Sequence, residues 1–264
     1  MGASTKVSGT LNCTAETSSV AAGHDMDTTE VAVQGYSSAF YDTRYQGYGK
    51  KYHLSILEWM MHGLTGRLLD AGCGTGFVSQ QYHVMGLRNI LGIDLSPGML
   101  KHNPYPHEQR DVCHLPLEWY ERFDGIICRS LLHHLPNHQQ GLSEMHRVVK
   151  SGGKVAFWET SKSAVATWVR SQTQHGDRFS EYHHSFTNTE LLADINKWFE
   201  VDEVRYIGFL GYPLYGFPDI VDLARWIPFK SVLYPLTMGI DSLLERTPCL
   251  KRWSWSLGIK AHKM

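Results

Sequence analysis

Apolar residues in this chain come in short blocks whose period changes from block to block. His53 to Gly63 carries them at helical spacing and stops at glycine. Leu68-Leu69-Asp70-Ala71 is a continuous run, the mark of a buried strand, and it enters Gly72-Cys73-Gly74-Thr75-Gly76 directly. Phe77 to Met85 resumes a helical pattern that Gly86 closes. The alternation then repeats. Ile90 to Leu95 reads as a second strand, and Ser96-Pro97 as a helix start with serine as cap and proline at the first helical position. Gln109 to Val112 reads as a short third strand, Phe123 to Cys128 as a fourth and Gln139 to Lys150 as an amphipathic helix. Ser151-Gly152-Gly153 turns the chain into a fifth strand, Lys154 to Trp158. Strands alternating with helices at this spacing predict an α/β fold built on a doubly wound, mostly parallel sheet.

The second half is less regular. Ala164 to Thr173 has a helical pattern, and Thr187-x-x-Glu190 matches a capping box that opens another helix. Phe199 to Phe209 and Trp255 to His262 read as closing strands. Between them, Leu210 to Arg252 mixes Tyr, Trp and Phe with prolines and glycines. Its uncharged runs fall short of the roughly 20 residues a spanning helix needs, so the segment is expected to act as a lid, a homodimer contact or a peripheral membrane contact, in that order. Residues 1–30 are rich in Ser, Thr, Ala and Gly without an apolar period and are expected to be a disordered tail. Gly2 suggests a lipidation signal, but Lys6 stands where that motif wants Ser or Thr. Residues 31–264 are expected to form a single domain, with 31–63 as an N-terminal flap and helix, 64–160 as the ligand-binding half, and 161–198 and 210–252 as cap or interface elements.

A net charge of −1 and a sequence pI near 6.9 give no basic surface for nucleic acid. Five cysteines form no CxxC pair and read as reduced thiols of a cytoplasmic protein. Fifteen histidines invite a metal, yet there is no HExxH, and Pro136 breaks the helical spacing of His134 and His138, so no metal site is expected.

The glycine-rich turn between strand and helix is a place for a nucleotide-like ligand, because it lets backbone approach closely and offers unpaired helix-start N–H groups. Asp94, at the tip of the second strand, is placed to bind ribose hydroxyls. The dinucleotide fingerprint GxGxxG is broken, however, since Phe77 occupies its last position.

Five motifs in order, LLDAGCGTGF, GIDLSPGML, RDVCHLPL, FDGIICRSLLHHLP and LSEMHRVVKSGGKVAF, resemble class I S-adenosylmethionine-dependent methyltransferases. The likeness is strongest to the small-molecule branch that includes quinone-biosynthesis enzymes, and it runs from about Tyr36 to Glu159. It implies a Rossmann-like, seven-stranded sheet whose last strand is antiparallel, with the ligand at the switch point beside the first strand. It also implies S-adenosylmethionine as cofactor. Asp70 would face the amino end of the methionine moiety, which would lie against Gly72, Cys73 and Gly74. Asp94 would accept from the ribose, with Leu95 against adenine. Asp111 would accept from the adenine amino group while the Val112 N–H meets the ring. Backbone near Cys128 and Arg129, with Tyr45 of the flap, would complete the site.

The acceptor is less legible. Tyr36, Phe40, Tyr41, Tyr45, Tyr48 and Tyr52 either pack on the domain or cover the ligand, and an aromatic surround suits an apolar or ring-bearing small molecule. Methylation of oxygen or nitrogen is expected ahead of carbon methylation of a lipid, quinone or isoprenoid-like acceptor. A catalytically silent S-adenosylmethionine-binding protein is the remaining alternative, and the intact motif set weighs against it. Base candidates are His133 and His134, with His133 slightly ahead because His134 is expected to serve mainly as a structural hydrogen-bonding residue; Tyr41 or Tyr45 of the flap, Glu159, His183 and His184 are further candidates.

Overall fold

The computed structural model describes residues 47–163, 167, 186–216 and 223–264. The chain begins there with helix α1 (Gly47–Met61), followed by β1 (Leu68–Ala71), α2 (Phe77–Val84), β2 (Ile90–Asp94) and the single turn α3 (Pro97–Leu100). Next come β3 (His107–Gln109), β4 (Phe123–Arg129), α4 (His138–Val148) and β5 (Val149–Thr160). Helix α5 (Asn188–Ile195), β6 (Glu200–Ile207), α6 (Lys230–Glu245) and β7 (Ser256–His262) complete the described elements.

The seven strands form one sheet in the order β3-β2-β1-β4-β5-β7-β6. The pairs from β3 to β5 are parallel, and β7 runs antiparallel to both neighbours. Continuous apolar runs form these strands because both faces of the sheet are covered. Successive residues divide between two cores: Leu69, Ile126 and Phe157 pack with α4 and α5, while Leu68, Ile127 and Trp158 pack with α1 and α2. Strand order reverses between β1 and β4, and the chain leaves both at the same edge, where Ala71 pairs with Ile93 and Cys128. That is the crevice in which open α/β sheets hold ligands.

Three elements differ from the sequence pattern. Strand β3 starts and ends earlier than expected, because the Asp111 carboxylate turns the chain by accepting from the Cys113 N–H at 2.8 Å. Strand β5 begins at Val149, since Phe123 pairs with Val149 before the register shifts across the Gly152-Gly153 turn and Gly125 meets Lys154. Helix α6 runs through Pro235 and Gly239, residues that had marked this segment as irregular. The capping box at Thr187 is formed as expected, with Thr187 Oγ1 accepting from the Glu190 N–H and Glu190 accepting in return. The helical pattern at 164–173 (Thr167 apart), the tail at 1–30, the flap residues Tyr36, Phe40, Tyr41 and Tyr45, and His183 and His184 lie outside the described residues.

Candidate active site

The glycine turn folds over the end of β2. The N–H groups of Gly72 and Cys73 both donate to the Ile93 carbonyl at 2.9 Å. One turn further, the Gly74 N–H donates to Asp94 Oδ2 at 2.9 Å, and the Ser96 N–H donates to Oδ1 at 2.9 Å. Asn103 staples the loop from the far side, its Nδ2 donating to the Gly74 carbonyl at 3.1 Å. Gly74 holds φ +49°, a left-handed conformation that side chains disfavour. Asp94 therefore sits half-buried against the turn, with one N–H on each carboxylate oxygen and lone pairs to spare on both.

Asp70, at the end of β1, is 1% exposed. Its Oδ2 has a long 3.5 Å contact from Ser79 Oγ, and Oδ1 has no hydrogen-bond partner among the described residues. Burial pushes its pKa up to about 7, against the pull of the nearby Arg129 guanidinium, with the Asp94 charge adding to the rise. The site thus holds a buried carboxylate short of a cation.

Arg129, the last residue of β4, lies between rings. Its guanidinium is 4.9 Å from the Trp158 ring centre and 5.2 Å from that of Phe77. Its Nη2 is 3.3 Å from His53 Nδ1, and His53 Nε2 lies 3.0 Å from the Gly216 carbonyl. A guanidinium only donates, so Nδ1 accepts and Nε2–H donates to Gly216. This chain of contacts joins α1, β4 and the short turn Tyr212–Gly216 beside the glycine loop. Tyr52 packs with Tyr212, and Tyr48 and Tyr215 pack with Tyr234 of α6.

On the other side of Arg129, His133 is buried and its Nδ1 lies 2.5 Å from Glu159 Oε2. Glu159 Oε1 accepts from the N–H groups of Leu131 and Leu132, both at 2.8 Å. The carboxylate thereby fixes the turn that follows β4. His134 is exposed, its ring centre 4.1 Å from that of His133. His133, the slightly better base candidate from the sequence, is engaged in a buried hydrogen bond, and His134 has an exposed side.

A family model described as a methyltransferase domain matches residues 69–157. The chain is 33% identical over 192 residues to a 2-phytyl-1,4-naphtoquinone methyltransferase of Synechocystis sp., covering 67% of this chain and 76% of that one. The chain belongs to the class I S-adenosylmethionine-dependent methyltransferases. It is also 35% identical over 98 residues to a ubiquinone biosynthesis O-methyltransferase of Dechloromonas aromatica, a match spanning 34% of this chain and less than half, 42%, of that enzyme's length. In fold it is similar to a methyltransferase from Thermotoga maritima described as a possible histamine N-methyltransferase, with a TM-score of 0.59 at 18% identity over 91% of this chain and all of that one.

The residues of this methyltransferase fit its family cofactor. The partnerless Asp70 Oδ1 suits an ammonium, and the spare lone pairs of Asp94 suit the ribose hydroxyls. The strand-end residues singled out in the sequence come together, with Gly72, Cys73, Gly74, Asp94, Leu95, Cys128 and Arg129 at the ends of β1, β2 and β4. Asp111 and Val112 lie just beyond β3, where the Arg110 N–H donates to the Asp94 carbonyl at 3.0 Å. Asp111 also carries structural bonds, to the Cys113 N–H and to His114 Nδ1 at 2.9 Å. Burial pushes the thiols of Cys73 and Cys128 well up, which leaves both as neutral packing groups. Among the described residues no group of side chains could hold a metal ion.

Two polar residues of this region escaped the sequence reading. His53 had been absorbed into an amphipathic helix, although a histidine on its buried face needs a partner. Asp241 is 1% exposed and accepts from the N–H groups of Leu210 and Gly211 at 2.7 and 2.8 Å, tying α6 to the segment after β6. An isolated carboxylate in an apolar run was the available signal for it.

Proposed function

We propose that this chain transfers the methyl group of S-adenosylmethionine to an apolar, ring-bearing small molecule of quinone-like chemistry, on oxygen or nitrogen, releasing S-adenosylhomocysteine. Asp70 carries the reading: a buried carboxylate without a full set of partners, beside a glycine turn, is a site for a ligand that brings its own cation. Asp94 holds the ribose, Leu95 and Val112 border the adenine, and Asp111 accepts from its amino group. The cofactor supplies an electrophilic methyl group on a sulfonium that leaves readily. The protein's part is then mostly alignment, which is worth up to roughly 7–11 kcal/mol in ideal cases. Arg129, His53 and Trp158 form the wall against which an acceptor ring is oriented. His133 acts as a positioning residue through Glu159, and His134, the more exposed of the pair, is the candidate to take a proton from a hydroxyl acceptor. Tyr41 and Tyr45 are proposed to close over the ligand.

A second reading, carbon methylation of a quinone or isoprenoid-like acceptor, is favoured by the name of the Synechocystis relative, which gives a phytyl-bearing quinone, and an oxidised quinone ring has no hydroxyl to methylate.

One experiment tests both. The protein is incubated with methyl-labelled S-adenosylmethionine and either a panel of catechols and quinols with and without prenyl tails or fractions of host extract. Labelled products are then assigned by NMR. Label on a ring-borne oxygen or nitrogen supports the first reading, and label on ring carbon supports the second. Cofactor binding without S-adenosylhomocysteine formation in any fraction would overturn both in favour of a silent binding protein.

A further inference from the structure

Helix α6 is amphipathic in the wrong sense for a helix that only covers a core. Its inward face carries both of its carboxylates, Asp241 bound to Leu210 and Gly211 and Glu245 bound to Arg205 at 2.9 Å. Its outward face carries no charge: the exposed residues are Ser231, Val232, Pro235, Leu236, Gly239, Ile240 and Leu243. Val232, Leu236, Ile240 and Leu243 fall on one stripe at helical spacing, and Phe229 at the N-cap extends it. These are large exposures, 82% for Phe229, 65% for Val232, 57% for Leu236 and 67% for Leu243. Trp226, 79% exposed, and Trp253, 43% exposed, flank the helix in sequence.

Among the described residues of this stretch the exposed charges have one sign. Among the described residues from Leu223 to Trp253 the basic ones are Arg225, Lys230, Arg246, Lys251 and Arg252, and the acidic ones are Asp241 and Glu245, both turned inward. Arg225 lies over the Trp226 ring at 5.7 Å and Arg252 over the Trp253 ring at 5.9 Å, so each exposed tryptophan carries a cation beside it. An apolar stripe bordered by cations and amphipathic rings matches the boundary between anionic lipid headgroups and acyl chains. No described helix is long and apolar enough to cross a membrane, which makes the contact one of lying on the surface.

We propose that the outer face of α6, with Trp226, Phe229 and Trp253, docks the protein on an anionic lipid bilayer. A second copy of the chain would bring the same cations against themselves, whereas anionic lipid answers both the apolar stripe and its basic border. The surface is the outside of the element whose inner face holds Tyr234 against Tyr48 and Tyr215, so docking would set the aromatic side of the site next to the membrane.

The test is co-sedimentation of the full chain with vesicles of phosphatidylcholine mixed with phosphatidylglycerol, and with vesicles of phosphatidylcholine alone. Binding is expected to the mixed vesicles and to fall with added salt. Leu236→Glu combined with Leu243→Glu should weaken it about tenfold or more, and Arg246→Gln with Arg252→Gln should reduce both binding and its salt dependence. All four positions are exposed or peripheral, so far-UV circular dichroism and S-adenosylmethionine affinity should stay unchanged and report that the variants are folded. No sedimentation with anionic vesicles would overturn the proposal, as would undiminished sedimentation of the glutamate variant. A lipid-free dimer that Leu236→Glu splits, with no vesicle binding by either form, would reassign the face to a subunit contact.

Discussion

The carboxylate of Glu159 and the imidazole of His133 meet at 2.5 Å inside the turn that follows β4. The same carboxylate takes the N–H groups of Leu131 and Leu132, so three donors converge on one buried side chain. Glu159→Ala leaves all three short of an acceptor, at about 1–3 kcal/mol for each unsatisfied group. The expected outcome is a melting temperature lower by roughly 6 °C or more, with Glu159→Gln milder because it keeps one acceptor oxygen. Thermal unfolding at fixed pH checks this, and an unchanged Tm for the alanine variant would remove the turn-holding role.

Asp70 should set a conflict between stability and binding. Its pKa moves from the ordinary 3.8 up to about 7 on folding, chiefly by burial. The folded chain thus keeps a proton that the unfolded chain releases in that window. The ligand-free protein is most stable, as far as this group is concerned, below the lower value and loses stability as pH rises through the upper one. Asp70→Asn should abolish that loss, gaining on the order of 2–4 kcal/mol at about pH 8 and little at about pH 4. The same variant should bind S-adenosylmethionine at least about tenfold more weakly. In the wild type, affinity should rise with pH up to about 7 and level off above it, as titration calorimetry at several pH values would show.

Asp94→Ala should weaken S-adenosylmethionine by tenfold or more, a loss of about 1.4 kcal/mol or greater. Because Asp94 also holds the Gly74 and Ser96 N–H groups, the alanine change frees the turn as well as the ribose. Asp94→Asn is the intermediate case, since its remaining oxygen can keep one of the two turn N–H groups while its amide nitrogen can accept from neither the other N–H nor a hydroxyl. Calorimetry giving unchanged affinity for both variants would sink the ribose assignment.

Much of this geometry was legible before any coordinates. Continuous apolar runs at β1, β2, β4 and β5 marked strands covered on both faces, and Asp70, Gly74 and Asp94 stood at strand ends where an open sheet binds ligands. Thr187 and Glu190 announced a helix start that is formed in detail. What the pattern missed has physical causes. Asp111 looks like a strand residue until its carboxylate is seen to turn the chain at Cys113. Pro235 and Gly239 disguised α6, whose stability comes from tertiary anchors at Asp241 and Glu245 and not from propensity. His53 finds its partners, Arg129 and Gly216, at separations of 76 and 163 residues, distances over which periodicity carries no information.

Asp241 offers a way to loosen the acceptor side without touching the cofactor. Its two oxygens accept from Leu210 and Gly211, and Glu245, one turn later on α6, holds Arg205 of β6. These are the polar anchors of a helix whose inner ring, Tyr234, packs 5.1 Å from Tyr215 and 5.3 Å from Tyr48. Asp241→Ala strands the buried Gly211 N–H and the part-buried Leu210 N–H, a cost of about 1–3 kcal/mol or more that falls on the attachment of α6 and not on the sheet. Hydrogen exchange should accelerate in Lys230–Glu245 and in Tyr212–Gly216 and stay slow in β1 and β4. S-Adenosylmethionine affinity should be retained, because Asp70 and Asp94 sit on other elements, while the acceptor KM rises about tenfold as the tyrosine wall loses its position. Equal loss of cofactor and acceptor binding would show that α6 supports the whole crevice, and unchanged exchange in α6 would show that the carboxylate does not anchor it.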